Sequence, residues 1–221
     1  MTNNDDLKYL SNSVSKFVVG AEGNVSKKIN NYLYIKSSGS LLKNLDDSDI
    51  VCYDFLGNQK DNFTKKGSME LDFHMFLLKQ TDINYVCHTH PVNTLKILCS
   101  KFAEEFSDKR LFPDQVVFNG EKSCLIPYET PGEDLFKAIE EEVSKFEKKY
   151  EFFPKLILLK NHGIIACGKS VNECITITEI CEKSAEVFLG CVNLNSINYL
   201  TDNEVEKLTK DKNEKYRKSL I

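Results

Sequence analysis

The sequence predicts a single α/β domain in which helices pack against one β-sheet. The 221 residues are 41% hydrophobic, which is enough for one sizeable core or at most two small ones. Short apolar runs typical of strands alternate with amphipathic segments typical of helices, as expected of an α/β layer. No repeat, low-complexity tract or linker interrupts residues 1–221, so the whole chain is expected to form one domain.

The first half of the chain predicts one helix and three strands. Apolar residues recur every three or four positions in the first segment, which gives it the stripe of an amphipathic helix. Two short runs around Asn30-Asn31 have the pattern of a β-hairpin. The small polar loop after them indicates either a tight turn or an anion-binding loop. The segments in order are the helix 5–19, the hairpin 27–36, the loop 37–40 and the strand 49–55.

The second half predicts further strands between helices, followed by a charged helical tail. Ser68 can cap a helix that runs from Met69 to Gln80 with its apolar side chains facing inward. The next strand is followed by Pro91, where another helix can begin. A later helix is apolar on most sides, so it is expected to be buried. The segments in order are the helix 69–80, the strand 83–87, the helix 91–102, the apolar runs 113–119 and 124–128, the helix 133–150, the strand pair 155–167, the helix 170–193 and the tail 201–221.

Charge and composition exclude several classes of partner. The 29 basic and 33 acidic residues are interspersed and give a formal net charge of −4, so there is no broad basic field for nucleic acid. No run approaches the roughly 18 apolar residues of a membrane span, and the N-terminus lacks the pattern of a signal peptide. We therefore expect a cytoplasmic protein without a membrane partner. Its eight scattered cysteines, which include no Cys-x-x-Cys pair, are expected to be reduced core residues.

The histidines carry most of the chemistry that the sequence predicts. His88 and His90 are two residues apart at the end of a predicted strand, so both imidazoles can reach one point. His162 lies where an apolar strand breaks at Asn-His-Gly, and a turn tip there can present a third ligand. Three neutral imidazoles with an open fourth position are typical of a catalytic zinc site. Cys87 is expected to point to the opposite face of the strand.

Two further polar residues lie on the predicted helix 69–80. Glu70 falls in its first turn and could act as a general base beside a metal-bound substrate. The alternative is a carboxylate that is simply favoured by the helix dipole. His74 lies one turn later on the same face and is expected to hold a partner in place by a hydrogen bond. The alternative for His88 and His90 is a pair of buried histidines with satisfied hydrogen bonds.

Six short motifs together resemble the class II aldolase/adducin family. Each motif alone is weak, but their order and their intervals fit the family over about residues 20–191. The motifs are Gly-Asn-Val-Ser at 23–26, Ser-Ser-Gly at 37–39, Ser-x-Glu-x-x-x-His at 68–74, His-Thr-His-Pro at 88–91, Pro-Tyr-x-x-Pro-Gly at 127–132 and Leu-Lys-Asn-His-Gly at 159–163.

The resemblance implies a central, largely antiparallel β-sheet flanked by helices, usually in a homotetramer with active sites between subunits. It also implies one divalent metal ion per subunit, commonly Zn²⁺, and a catalytic carboxylate at the position of Glu70. The positions that match the metal ligands are His88, His90 and His162. The positions that match the phosphate-binding motifs of phosphosugar members are Gly23, Asn24, Ser38, Gly39 and Ser68, with Ser26 and Ser37 as weaker candidates.

Two departures from the family pattern limit what the resemblance implies. Members that act on ketose phosphates often read Pro-Ser-Ser-Glu before the catalytic helix, whereas residues 67–70 read Gly-Ser-Met-Glu. One phosphate-facing hydroxyl is therefore lost. The tyrosine that some aldolases contribute from a neighbouring subunit as a proton donor has no match between Phe112 and Phe118, so the donor is unassigned.

The expected function is a zinc-dependent aldolase that cleaves or forms a carbon–carbon bond in a sugar phosphate or related ketose. Such cleavage leaves an enediolate, whose oxygens a cation can hold while Glu70 moves a proton. One alternative is a decarboxylase or dehydratase on a small phosphorylated keto compound. A 4-epimerase is less favoured because those members carry aspartate at this position. The alternative of another class is a non-catalytic adducin-like interaction module, which would be expected to lose the histidines.

Overall fold

A seven-stranded mixed sheet forms the centre of the structure, a computed structural model that describes residues 4–61 and 64–220. Its strands are β1 (Asn24–Ile29), β2 (Tyr32–Lys36), β3 (Ile50–Asp54), β4 (Tyr85–Thr89), β5 (Cys124–Ile126), β6 (Leu156–Leu159) and β7 (Gly163–Gly168). Their order is β3-β2-β1-β4-β7-β6-β5, and within the described residues only the β5–β6 pair is parallel. The predicted fold class, a largely antiparallel sheet flanked by helices, is therefore confirmed.

Helices cover both faces of this sheet. In the described part of the chain they are α1 (Asp5–Val14), α2 (Leu71–Leu78), α3 (Val92–Leu98), α4 (Ala103–Asp108), α5 (Pro113–Asn119), α6 (Glu133–Tyr150), α7 (Val171–Asn193), α8 (Asp202–Lys210) and α9 (Lys212–Ser219). One core lies between the sheet and α1, α3, α4 and α7, and a second core lies between the sheet and α2 and α6.

Alternate residues of the central strands enter these two cores. Ile164 and Ala166 of β7 belong to the first core, whereas Ile165 and Cys167 belong to the second. This division follows the two-residue period of a strand, whose successive side chains point to opposite faces. Strands that are buried on both faces have no polar side to show in the sequence, which explains the uninterrupted apolar runs of β6 and β7.

Most predicted elements are present, with shifted ends. The hairpin turns at Asn30-Asn31 as predicted, and the helices predicted at 133–150 and 170–193 are α6 and α7. The N-terminal helix ends at Val14 and continues as a short 3₁₀ turn to Phe17 rather than to residue 19. Helix α7, predicted to be buried on most sides, is buried along one face and exposed along the other.

The helices of the structure depart from the predicted segments at four places. Helix α2 begins at Leu71, so Ser68 lies too early to cap it and Glu70 occupies the N-cap position. The apolar run 113–119 is helix α5, for which Pro113 provides a preorganised first residue. The helix predicted at 91–102 is interrupted after Leu98 and resumes as α4. The tail forms two helices because the carboxylate of Asp211 accepts amide hydrogen bonds that start the second one; its last residue, Ile221, lies outside the described residues.

None of the helices in residues 4–61 and 64–220 combines the length and the apolar character that a bilayer crossing requires.

Candidate active site

The ends of two paired strands bring three imidazoles together. Strands β4 and β7 are antiparallel neighbours, so the end of β4 lies beside the start of β7. His88 lies within β4, His90 follows its last residue, and His162 lies in the turn before β7. One ring nitrogen of each histidine lies within 4.8 Å of one from each of the others. The structure thus places at one point the three side chains that the sequence predicts as metal ligands.

Hydrogen bonding fixes the tautomer of His88. Its Nδ1–H donates to the backbone carbonyl of Ile164 at 2.8 Å, because a carbonyl oxygen can only accept. The lone pair therefore lies on Nε2, which is 3.0 Å from His90 Nε2. Burial lowers the pKa of His88 to about 4, so the ring is neutral near pH 7. A neutral imidazole with a free Nε2 is a suitable metal ligand.

His90 faces a carboxylate that the sequence did not single out. Its Nδ1 lies 3.4 Å from Glu22 Oε2, and the same oxygen accepts the backbone N–H of Val19 at 3.0 Å. The pairing of β1 with β4 places Asn24 opposite His88, so the segment before β1 runs beside His90. A carboxylate on the outer nitrogen of an imidazole orients the ring and raises its basicity. Only the pairing of distant strands reveals this contact.

The donor set fits a divalent transition metal. Burial and the neighbouring His88 lower the pKa of both His90 and His162 to about 4, so all three rings are neutral at pH 7. The 3.0 Å between the Nε2 atoms of His88 and His90 is close to the separation of about 3.4 Å expected for two imidazoles on a tetrahedral zinc ion. Within the described residues, the buried Nδ1 of His162 has no hydrogen-bond partner.

Glu70 points towards this group of imidazoles. Its side chain is 10% exposed, and its two oxygens lie 3.5 Å from His88 Nε2 and 3.6 Å from His162 Nε2. The prediction placed Glu70 in the first helical turn, but it lies at the N-cap and its side chain caps none of the amides of α2. The geometry therefore does not favour the alternative of a carboxylate held by the helix terminus.

A chain of hydrogen bonds from Ser26 through His74 and Asn24 orients the Glu70 carboxylate. Asn24 donates from Nδ2 to Glu70 Oε2 at 2.7 Å and to Ser68 Oγ at 3.1 Å, which assigns its Oδ1 as the acceptor of a hydrogen bond from His74 Nε2. The other ring nitrogen of His74 accepts from the Ser26 hydroxyl at 2.6 Å. Complete burial holds the pKa of His74 well below its usual value. His74 is thus a neutral residue that forms hydrogen bonds with Asn24 and Ser26, and its role in holding a partner in place stays a prediction.

The loop 37–40 offers one free amide. Backbone carbonyls accept the N–H groups of Ser37, Ser38 and Ser40, whereas no acceptor among the described residues takes that of Gly39. The loop is joined to the Glu70 segment, because Ser68 N–H donates to the carbonyl of Lys36 at 3.1 Å. Gly39 and the side chain of Ser38 therefore remain available for an anion beside Ser68.

The other proposed phosphate-binding residues are engaged within the protein. The Ser37 hydroxyl pairs with that of Ser40 at 2.6 Å, and the Ser26 hydroxyl is taken by His74. Gly23 has positive φ and packs tightly, since an added Cβ would lie 2.7 Å from the His88 carbonyl oxygen. Its main contribution in the structure is thus a close approach of backbone to backbone.

Lys36 is a buried cation beneath this loop that the sequence did not single out. Its side chain is 2% exposed, and its Nζ donates to the carbonyl oxygen of Ser40 at 2.6 Å. Burial lowers its pKa, and the negative charges of Asp49 and Glu70 partly oppose that effect. A lysine in a short strand has no sequence signature that separates it from an exposed one, so this role depends on the tertiary structure.

Gly163 lies where β7 passes beneath His90. An added Cβ would be 2.5 Å from both His90 Cδ2 and the Thr89 carbonyl oxygen. We expect Gly163→Ala to lower the free energy of unfolding, measured by urea denaturation, by about 1–3 kcal/mol. The added methyl group should also displace the His90 ring. The matched control is Gly190→Ala in α7, where nothing lies within 4 Å of an added Cβ. A Gly163→Ala variant as stable as the parent would contradict this close packing.

Comparisons with known proteins agree with the fold and with the motifs. A family model described as Class II Aldolase and Adducin N-terminal domain matches residues 11–189. The L-fuculose phosphate aldolase of Methanococcus maripaludis (strain C5) is 31% identical over 78% of this chain and 86% of its own. The 3-oxo-tetronate 4-phosphate decarboxylase of Escherichia coli (strain K12) is 27% identical over 87% of each chain. A solved L-fuculose 1-phosphate aldolase shares the fold, with a TM-score of 0.78, 22% identity and coverage of 98% of each chain.

Proposed function

Because the chain belongs to the class II aldolase and adducin family, we propose that it is a metal-dependent lyase that cleaves or forms a carbon–carbon bond in a sugar phosphate or related ketose. One observation carries this proposal: three neutral imidazoles converge beside a shielded carboxylate. A non-catalytic module of this family would have no need to keep that arrangement. Lyases among the relatives also support an enzyme.

The proposed metal ligands are His88, His90 and His162, with Zn²⁺ as the expected ion. Each can direct one nitrogen to a common point, and the Glu70 carboxylate lies 3.5 Å and 3.6 Å from the Nε2 atoms of His88 and His162. A divalent cation bound there would supply Lewis-acid stabilisation of the negative charge that develops on substrate oxygens. The imidazoles contribute no charge of their own, so the cation keeps its full double charge for that purpose.

The proposed role of Glu70 is to move the proton at the substrate carbon next to the carbonyl. The Asn24 amide holds one of its oxygens, and the hydrogen bonds from Asn24 through His74 to Ser26 fix the orientation of that amide. A general base must be held within hydrogen-bond reach of the proton that it takes. The low exposure of Glu70 also limits competition from water for its oxygens.

The proposed phosphate-binding groups are the amide of Gly39 and the polar side chains next to it. The side chains are those of Ser38 and Ser68. Asn24, the other predicted candidate, already donates both of its Nδ2 hydrogens, to Glu70 and to Ser68. The buried ammonium of Lys36 lies beneath the same loop and adds a positive charge that favours an anion. The names of both cited relatives contain a phosphorylated substrate, which is consistent with a phosphorylated substrate here.

Two activities on phosphorylated compounds are compatible with these groups. Retro-aldol cleavage is our first choice, and decarboxylation of a small phosphorylated keto acid is the second. The second is favoured by the decarboxylase relative, whose whole-chain match extends over 87% of this chain. Both reactions leave negative charge on a carbon beside a carbonyl, so the same cation and carboxylate can serve either one.

A chelator-controlled assay tests the proposed function. The purified protein is incubated with L-fuculose 1-phosphate, L-rhamnulose 1-phosphate and 3-oxo-tetronate 4-phosphate, before and after EDTA treatment and again after added Zn²⁺. We expect release of a triose phosphate, or of carbon dioxide in the decarboxylase case, that EDTA abolishes and Zn²⁺ restores. Absence of a chelator-sensitive product from a wider panel of ketoses and keto acids, in a protein without bound metal, would support the interaction-module alternative.

We also propose a cytoplasmic homotetramer with active sites between subunits. Met69 and Val92 support this, since they are 75% and 62% exposed and lie next to Glu70 and to the His90-Pro91 segment. A neighbouring copy that covers them would remove apolar surface from water and could supply the unassigned proton donor. Light scattering coupled to size-exclusion chromatography gives the mass of the assembly, and a monomer at assay concentration would contradict this part of the proposal.

A further inference from the structure

Helix α3 begins directly after the His90 segment, and its N-cap residue has no side-chain acceptor for the first backbone N–H groups of the helix. The N-cap position is occupied by Pro91, whose ring offers no hydrogen-bond acceptor. The first amides of a helix have no partner within the helix and need one from elsewhere. Thr94 lies in this first turn and is completely buried, so water cannot accept a hydrogen bond from its backbone N–H.

A carboxylate from α7 supplies the missing acceptors. Glu182 Oε1 accepts the backbone N–H of Asn93 at 2.9 Å, and its Oε2 accepts both the backbone N–H and the hydroxyl of Thr94 at 2.9 Å. Both oxygens are therefore used, and the negative charge lies at the positive end of the helix dipole. Helix α7 packs against β4, β7, α1 and α3, so it provides a rigid base for this carboxylate.

These hydrogen bonds hold one side of the segment that carries His90. On the other side, the His90 backbone N–H donates to the carbonyl of Phe17 at 3.1 Å. His88 differs from His90 because it lies inside β4, where pairing with β1 and β7 fixes it. Loss of Glu182 would leave the amides of half-buried Asn93 and buried Thr94 without their acceptor. The junction at His90-Pro91 could then shift while His88 stayed in place.

We propose that Glu182 is a positioning residue that keeps His90 at the distance and orientation required of a metal ligand. It acts through the first turn of α3 and does not touch the imidazoles. This inference rests on the proposed metal site. Partners that orient metal ligands indirectly commonly change metal affinity by about 10- to 100-fold when they are replaced, and we expect an effect in that range.

The test uses Glu182→Gln in the full-length chain. Glutamine has the same length but only one acceptor oxygen, so at least one amide of α3 faces an NH₂ group. We expect faster amide hydrogen exchange at residues 90–94 of the metal-free protein, with residues 85–88 unchanged. We also expect Zn²⁺ affinity, measured by competition with a chelating dye, to fall about 10- to 100-fold. The visible absorption spectrum of the Co²⁺ complex should change as well.

Two further variants separate positioning from general destabilisation. Glu186→Gln, one turn later on the exposed face of α7, should match the parent in exchange, affinity and spectrum. Thr94→Val removes the hydroxyl hydrogen bond to Glu182 and the 3.7 Å contact with Cys181 Sγ, but it keeps both amide hydrogen bonds to Glu182 and should give a smaller change in the same direction.

The possible outcomes lead to different conclusions. Unchanged exchange at residues 90–94 in Glu182→Gln would overturn the inference, whatever the metal affinity. Faster exchange with unchanged Zn²⁺ affinity and an unchanged Co²⁺ spectrum would also overturn it, because Glu182 would then only stabilise the helix. A parent protein that binds neither metal would refute the proposed function itself and this inference with it.

Discussion

Replacing Glu70 with glutamine should lower the turnover number by about 10²- to 10⁴-fold and leave metal binding nearly unchanged. Glutamine has the size of glutamate and can still accept the hydrogen bond from Asn24 Nδ2, so the pocket should keep its shape. It cannot take up a proton at neutral pH, so the proton at the substrate carbon would have no acceptor. Steady-state kinetics with the active ketose phosphate, together with the metal content of both proteins, gives the result.

The control for Glu70→Gln is another carboxylate on the same helix. Asp72 is exposed, and Asp72→Asn also removes one negative charge close to the site in sequence. We expect Asp72→Asn to keep the kcat of the parent. An equal loss of kcat in the two variants would indicate that the negative charge near the helix start matters, whichever residue carries it. A Glu70→Gln variant with the kcat of the parent would rule out Glu70 as the acid–base group.

Replacing His162 with alanine should weaken Zn²⁺ binding by more than about a hundredfold. Replacement of a residue that only supports a metal ligand already lowers metal affinity by about 10- to 100-fold, and His162 is proposed as a ligand itself. His162 lies in the turn between β6 and β7, and its side chain makes no hydrogen bond that holds the described fold together. The variant should therefore stay folded without metal. Competition with a chelating dye measures the affinity, and thermal denaturation of the metal-free proteins checks the fold.

Lys160→Ala provides the matched control for this ligand. Lys160 lies in the same turn and pairs with Glu104, away from the imidazoles. We expect Lys160→Ala to bind Zn²⁺ as the parent does. His88→Ala should lower Zn²⁺ affinity as much as His162→Ala does. Because His88 is buried, its replacement should also lower the stability of the fold. Retention of parent affinity in both histidine variants would disprove the proposed three-histidine site.

The sequence was most informative where one local pattern carried both structure and chemistry. The spacing of His88 and His90 places both at one strand end, and the Asn-His-Gly break puts His162 in a turn; the structure has all three in these positions. The face of Cys87 was also predicted, and Cys87 lies in the core shared with α7 whereas Val86 lies in the opposite one. These features depend on the strand period and on turn chemistry, which act over a few residues.

The sequence was least informative about groups that act on the site from a distance. Glu22, Lys36 and Glu182 have no distinctive neighbours in the sequence, yet each meets the site or its supports in the structure. The same limit applies to Glu70, whose helix began later than predicted because a turn at Met69-Glu70 precedes it. Helix ends depend on which acceptors the fold supplies to the first amides.

Local sequence patterns were sufficient to predict the alternation of strands and helices, the hairpin, the imidazoles that meet and the family that the chain resembles. Three features required the folded molecule: the strand order, the hydrogen bonds from Ser26 to Glu70 and the support that α7 gives to His90. The difference arises because periodicity and turn residues act over a few positions. Hydrogen bonds between distant segments form only after the packing of two cores has brought those segments together.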